Sequence, residues 1–344
     1  MSRAVSSSRA CHLEGIQIKA SSARCILRRS GISKPSEAPR GLFIFCDIFI
    51  APYMREYGDS TPFTDEELER YHSSDPEDQE ATLCVECLEL AEFMAHFIRF
   101  EHLPAPRESN GVKSGGIHIF TWSTGSVPAL ALLANLEALD KDLSNLLEEY
   151  MGTIFIADLP SMCYGIPEPA KLYHPFRDTS LSHEETFEQM LFFVFTYFEP
   201  FEDLASVTPS SIEARKTLAE VSPEAKITKT TFSLGELEGL TNRQVSDRIG
   251  LGLVEWVVYA ENVRRALLDT KGIWKNVKVV LGWGSMSFWS TAWGAKSVAE
   301  LLEMPVPEGI QRRDVQIVRL DGANHMFIYD RPQQTVQFIV EKMH

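Results

Sequence analysis

Three side chains stand where they could together carry out acyl-transfer chemistry. Ser123 lies between an apolar run and a helical pattern, Asp158 ends a second apolar run, and His325 follows the last one. A serine hydroxyl can attack a carbonyl carbon when a histidine takes its proton and a carboxylate holds the imidazole. Each residue also has a plainer interpretation, because serine caps helices, aspartate caps turns and a lone histidine is usually structural.

The serine stands at the junction of a predicted strand and a predicted helix. Residues 116–122 form an apolar run, and apolar residues recur at three- and four-residue spacing over 127–151. This junction matches the strand–Ser–helix elbow written G-x-S-x-G, which needs small residues two positions before and after the serine. Gly125 fits the pattern, whereas the β-branched Thr121 fits it less well.

The remaining chain alternates predicted strands with predicted helices. Apolar runs that predict core strands occupy 152–158, 276–284 and 314–320. Helical spacing covers 81–99, 295–302 and 333–343. Two short strands are predicted within 15–32 and one within 41–52, and the acidic run 65–80 is most simply a solvated face and loop. The alternation predicts an α/β fold with a mostly parallel central sheet flanked by helices.

The order of these elements predicts a core in two parts. A turn-rich segment, LPSMCYGIPEPA, follows Asp158, and the pattern from about 167 to 270 is helical and irregular. We therefore predict the N-terminal part of the core over 1–165, a helical insertion over 166–272 and the C-terminal part of the core over 273–344.

The composition excludes some classes of partner. The 344-residue chain is 44% apolar and has a net charge of −15, which argues against nucleic acid or anionic membranes. Its densest apolar run, 191–198, is too short to span a bilayer, so we expect a cytoplasmic protein. Residues 1–31 carry six Lys or Arg against one acid and resemble an organelle transit peptide, although two first strands are the simpler interpretation.

The cysteines suggest no metal centre. Cys84 and Cys87 form a C-x-x-C, but they stand in a helical apolar pattern in which residues three apart share a buried face. No second Cys/His pair has a zinc-like spacing, and the six cysteines show no disulfide framework. We expect no metal and no organic cofactor.

Separated motifs resemble the α/β-hydrolase family, and more narrowly a fungal branch of it. They are the W-S-x-G elbow at 122–125, the T-P-x-T-D-x-E-L stretch at 61–68 and the G-A-N-H ending at 322–325. Residues 50–60 also resemble the family's I-A-P-D-x-R-G-x-G-x-S stretch. The resemblance therefore covers the chain from about residue 50 to its end.

The resemblance implies roles for the candidate residues. Ser123 would be the nucleophile, His325 the general base, and the backbone N–H of Thr124 one donor of the oxyanion hole. The insertion over 166–272 would be a helical lid. The substrate would be a small hydrophobic ester or a related acyl compound.

The chain departs from the family at the triad acid. Family members usually place an aspartate after the strand matched by 276–284, but no Asp or Glu occurs between Trp283 and Ala299. Asp158, at the end of the preceding core strand, is the best substitute. Its alternative role is to cap the turn that follows it.

The second departure concerns the oxyanion hole. Its other donor normally comes from a His-Gly loop, and the chain contains no His-Gly pair. Between Gly31 and Ile50 there is room for one apolar strand, where the family has two strands and a helix, so a segment is absent from the protein or missing from the gene model. We therefore predict a serine hydrolase with impaired turnover. The alternative is a non-catalytic member that binds a small hydrophobic ligand or a protein partner.

Overall fold

The computed structural model describes residues 42–45, 49–50, 54–57, 60–100, 103–109, 112–222, 248–249 and 254–343. The strands predicted within 15–32 and the transit-peptide-like segment 1–31 lie outside these residues. So do Ala51-Pro52 and Gly58-Asp59 of the family-like stretch.

The core is a six-stranded sheet, accompanied by a separate two-stranded hairpin. The strands are β1 Leu42–Phe45, β2 Phe49–Ile50, β3 Arg107–Ser109, β4 Val112–Ser114, β5 Ile117–Trp122, β6 Met151–Ala157, β7 Lys278–Gly284 and β8 Val315–Leu320. The order across the sheet is β2-β1-β5-β6-β7-β8, and β3 pairs with β4. Strands β5 to β8 are parallel, whereas β1 is antiparallel to both of its neighbours.

This topology confirms the mostly parallel sheet and corrects the segment before it. The single strand predicted within 41–52 is wrong, because this segment contains two strands, and Phe45 of β1 pairs with Phe49 of the antiparallel β2. Strand β1 lies beside β5, the strand that leads to Ser123.

Helices flank the sheet. They are α1 Asp65–Tyr71, α2 Pro76–Phe100, α3 Val127–Ala134, α4 Lys141–Tyr150, α5 His183–Phe195, α6 Pro209–Ala214, α7 Leu218–Val221, α8 Trp256–Val263, α9 Trp289–Glu303, α10 Phe327–Asp330 and α11 Pro332–Lys342. A π-helical turn, Arg264–Leu268, continues α8.

Alternation along the strands explains why both faces of the sheet are covered. In β6, Ile154 and Ile156 belong to the larger core, which also contains side chains of α2, α3, α8 and α9. Phe155, between them, belongs to a smaller core with Phe327 of α10 and Ile339 of α11. A strand buried on both faces reads as a continuous apolar run, which is the pattern that predicted it.

The helix predicted over 127–151 is wrong as a single element. The structure divides it into α3, a 3₁₀ turn over Leu136–Ala138, and α4. The amide of Asn135 donates to the carbonyl of Ala131 at 2.8 Å at the end of α3. Asp140 caps α4 by accepting from two main-chain N–H groups. Both side chains offer the backbone an alternative to a continuous helix.

The acidic run 65–80, predicted as a solvated face and loop, contains a helix. The hydroxyl of Thr64 accepts from the N–H of Glu67 at 3.2 Å, and the Glu67 carboxylate accepts from the N–H of Thr64 at 2.7 Å. The same carboxylate binds Arg55 at 2.7 and 2.8 Å. This capping box therefore starts α1 and ties it to the preceding segment.

The described part of 166–272 contains α5 to α8, and the boundaries of the insertion stay a prediction. Cys84 and Cys87 are buried in α2, on the helix face that their spacing predicted. Over the described ranges, every helix is too short or too polar to cross a membrane.

Candidate active site

The junction between β5 and α3 is a sharply turned elbow. Trp122 ends the strand in an extended conformation, with φ −139° and ψ 140°, and Ser123 takes a left-handed φ of 55°. Ser123 also begins a 3₁₀ turn that leads into α3. A residue other than glycine rarely adopts positive φ, and this strained turn exposes the serine at the end of the strand.

Thr121 fits the elbow despite its β-branch. The residue is fully buried, and its hydroxyl donates to the carbonyl of Phe155 on the neighbouring strand at 2.6 Å. Gly125, two positions after the serine, is also buried. The threonine adds a bond between β5 and β6 that a glycine could not make.

Ser123, His325 and Asp158 form one hydrogen-bonded chain. The Oγ of Ser123 lies 2.9 Å from Nε2 of His325, and Nδ1 of the same ring lies 2.7 Å from Oδ2 of Asp158. Strand register explains the proximity. Trp122 pairs with Ala157 in the parallel sheet, so the residues that follow them leave adjacent strands at the same edge. The structure thus brings together the three side chains that the sequence singled out.

Asp158 is enclosed by donors from the end of β7 and from the loop after it. The residue is 1% exposed and has a left-handed φ of 53°. Its Oδ1 accepts from the N–H of Gly284 at 2.8 Å, and its Oδ2 accepts from the hydroxyl of Ser287 at 2.6 Å. These two donors orient the carboxylate toward His325.

The loop that carries His325 is held from several sides. The indole Nε1 of Trp122 donates to the carbonyl of His325 at 2.7 Å. The rings of Trp122 and Phe288 each lie 5.0 Å from the imidazole, and the Phe288 ring meets it edge-on. The amide of Asn324 donates to the carbonyl of Phe195 at 3.2 Å, which ties the loop to the end of α5.

Thr124 is the second residue of the 3₁₀ turn that begins at the serine. The first N–H groups of a helical turn have no acceptor within that turn. The N–H of Thr124 therefore has no acceptor within the turn, and its role as an oxyanion donor stays a prediction.

No protein-family model matches the chain, and no curated protein matches it by sequence. Three solved structures resemble it in part. An α/β-hydrolase enzyme from a Medee basin deep-sea metagenome library is 8% identical with a TM-score of 0.27, over 63% of this chain and 61% of that one. E-2-(acetamidomethylene)succinate hydrolase is 14% identical with a TM-score of 0.31, over 85% and 80%. Carboxylesterase CesB from Bacillus subtilis is 14% identical with a TM-score of 0.25, over 64% and 57%.

The alignment spans less than two thirds of the first and third of these chains. The fold is decided by this chain's own parallel strands β5-β6-β7-β8 and by the left-handed elbow at Ser123 between β5 and α3. It is an α/β-hydrolase fold.

In this α/β-hydrolase fold the carboxylate beside the histidine comes from the strand next to the elbow strand. The resemblance expected an acid after β7, whereas Gly284 at the end of that strand and Ser287 in the loop after it supply donors to Asp158. Sequence reasoning missed both donors. The only signal for them was the lack of any Asp or Glu between Trp283 and Ala299.

The other ionisable side chains of the described residues do not form a metal centre. No three His, Cys, Asp or Glu side chains among them are grouped to hold a metal ion. Cys84, Cys87 and Cys163 are buried thiols that form no disulfide. Burial raises the pKa of the Cys163 thiol to about 12, so this cysteine stays protonated at neutral pH.

Proposed function

We propose that the protein is a serine hydrolase that cleaves a small carboxylic ester or a related acyl substrate. The observation that carries the proposal is the hydrogen-bonded chain from Ser123 through His325 to Asp158. A serine hydroxyl becomes a competent nucleophile when a positioned base takes its proton and a third group orients that base. This chemistry requires no metal and no organic cofactor.

The reaction runs in two halves. Oγ of Ser123 attacks the carbonyl carbon while Nε2 of His325 takes the hydroxyl proton, and the N–H of Thr124 donates to the oxyanion. Collapse of the tetrahedral intermediate expels the alcohol, which receives the proton from His325, and leaves Ser123 acylated. His325 then deprotonates a water that attacks the acyl carbon, and it returns this proton to Oγ of Ser123 as the acid leaves. Throughout, Asp158 holds the ring by its Nδ1 side.

An apolar cluster beside the imidazole supports a hydrophobic substrate. Val194 and Phe195 of α5 pack with Phe288 and Met326, and Trp122 lies against them. An apolar acyl or alkyl group would lose contact with water on this surface. In this proposal the insertion over 166–272 is a helical lid. The enzyme is cytoplasmic and belongs to the fungal branch of the α/β-hydrolases.

Turnover of a short p-nitrophenyl ester tests the proposal. We expect Ser123→Ala and His325→Gln to lose about 10⁴-fold or more of the wild-type rate. Ser126→Ala is the matched control, because Ser126 is a fully buried serine in the same 3₁₀ turn. Equal rates for wild type and Ser123→Ala would overturn the proposal.

The absence of a His-Gly pair favours a second candidate, a binding protein of the same fold. Ligand binding does not depend on oxyanion donors, whereas turnover does. Retention of a hydrophobic ester by the folded protein, with no hydrolysis above the Ser123→Ala background, would support this candidate over the enzyme.

A further inference from the structure

A buried arginine, Arg215, reaches the loop that holds Asp158. Its Nε donates to the carbonyl of Glu199 at 2.5 Å, and its two terminal nitrogens donate to the carbonyls of Ser287 at 2.6 Å and Ser285 at 3.0 Å. All three acceptors are neutral main-chain oxygens. The guanidinium therefore acts as a fork that joins the segment between α5 and α6 to the loop after β7.

The contacts of this arginine extend along the whole segment. The guanidinium lies over the ring of Phe201, 4.1 Å from its centroid, and 5.3 Å from the centroid of Phe198. The N–H groups of Phe198 and Phe201 donate to the carbonyls of Met286 and Ser285 at 3.0 and 2.9 Å. Residues 198–201 and Arg215 thus brace three consecutive residues of that loop.

The braced loop is the one that holds Asp158. The N–H of Gly284, the last residue of β7, and the hydroxyl of Ser287 in the loop are the donors to the two carboxylate oxygens. Ser287 therefore binds Arg215 through its carbonyl and Asp158 through its hydroxyl. A shift of this residue would move both bonds together.

Charge adds to the mechanical link. Burial lowers the pKa of Arg215 to about 9, against the attraction of Asp158 and Glu199, so the side chain is a cation at neutral pH. Arg215 thus attracts the carboxylate that the braced loop holds.

We propose that Arg215 is a positioning residue for the triad, which fixes the 284–287 loop so that Gly284 and Ser287 hold Asp158 against His325. The inference rests on the proposed function.

Arg313 offers a matched control. It is also buried, and it donates only to main-chain carbonyls in the bonds described, those of Ala266 and Trp274 at 2.8 Å among them. Its acceptors lie in the π-helical turn and in the segment before β7. None of its described bonds reaches residues 284–287. Arg215→Met and Arg313→Met therefore remove the same kind of group from two places.

The test compares wild type, Arg215→Met, Arg215→Lys and Arg313→Met at a temperature at which all four are folded. Arg215→Met should lower kcat about 10- to 100-fold with little change in KM. Arg215→Lys should restore only part of the lost kcat, because lysine keeps a charge but not the planar fork that binds the loop carbonyls. Arg313→Met should change neither kcat nor KM.

A proton NMR readout separates this inference from the proposed function. The downfield signal of the His325–Asp158 hydrogen bond, assigned by its loss in His325→Gln, should shift or broaden in Arg215→Met and not in Arg313→Met. If the signal responds but no protein hydrolyses esters, the proposed function fails and the positioning role stands. An unchanged signal in folded Arg215→Met would overturn the inference.

Discussion

The indole of Trp122 donates a hydrogen bond to the main-chain carbonyl of His325, 2.7 Å away and 203 residues later in the chain. The residue immediately before the elbow serine therefore fixes the loop that carries the histidine. The centroid of the same indole ring lies 5.0 Å from that of the imidazole. One side chain therefore positions the loop and also packs against one side of the imidazole ring.

Trp122→Phe separates these two contributions. Phenylalanine keeps an aromatic ring beside the imidazole but leaves the His325 carbonyl without its donor. This loss should lower the free energy of unfolding by about 1 kcal/mol. We expect kcat to fall several-fold while KM changes little. Trp122→Ala should lower both the free energy of unfolding and kcat further than Trp122→Phe does. Denaturant unfolding and ester turnover provide the measurements, and a Trp122→Phe protein with wild-type stability and kcat would contradict this account.

Asp158→Asn should lower kcat by about 10⁴-fold, because an amide does not keep the imidazole in the orientation that a carboxylate sets. Ser287→Ala removes one of the donors to the same carboxylate and should lower kcat about 10-fold. In the double variant, Ser287→Ala should add no further loss. Additive losses in this double-mutant cycle would show that Ser287 acts independently of Asp158.

Turnover by the unmodified chain should be weak. The resemblance assigns one oxyanion donor to a His-Gly loop that the sequence lacks, and one such donor is worth about 10²–10³ in kcat. A family-like loop grafted before Gly41 should raise kcat for short p-nitrophenyl esters with little change in KM. Wild-type rates of about 1–10³ per second would show that another donor completes the hole.

Glu67 should make stability depend on pH. Its hydrogen bonds to Arg55 lower the pKa of Glu67 from 4.5 to about 2. Because the carboxyl binds its proton more weakly in the folded state, its stabilising contribution is complete above about pH 4.5 and is lost as the pH falls toward 2.

Glu67→Gln should therefore lower the free energy of unfolding by about 1 kcal/mol at pH 7, after allowance for solvent screening of this partly exposed pair. The difference from wild type should shrink below pH 4.5. Glu66→Gln is the control, since Glu66 is a mostly exposed neighbour in the same helical turn. If the difference in the free energy of unfolding between Glu67→Gln and wild type stayed constant with pH, the Arg55 contact would not be the cause of that difference.

The sequence alone was sufficient to predict the site residues that directly follow the ends of strands. Ser123 and Asp158 directly follow β5 and β6, and both strands are apolar runs that parallel pairing brings side by side. His325 was found because it follows the last strand. These inferences needed only the order of elements and the fact that parallel strands end at a common edge.

The donors around Asp158 could not be found in this way. Gly284 and Ser287 are 126 and 129 residues from Asp158 in the chain, and neither has a local pattern that marks it. Arg215 stands in a stretch with no periodicity to place it. The break of the long helix before β6 had a local signal, because Asp140 is a good N-cap, but apolar spacing masked it.

The most direct test of the central claim is covalent labelling of Ser123 by a fluorophosphonate probe, located by peptide mass spectrometry. The account predicts a single modified site at Ser123 in wild type, strongly slowed modification in His325→Gln, and none in Ser123→Ala. Ser126→Ala should label like wild type. Equal labelling of wild type and Ser123→Ala, or a modified peptide that does not contain residue 123, would contradict the assignment of Ser123 as the nucleophile.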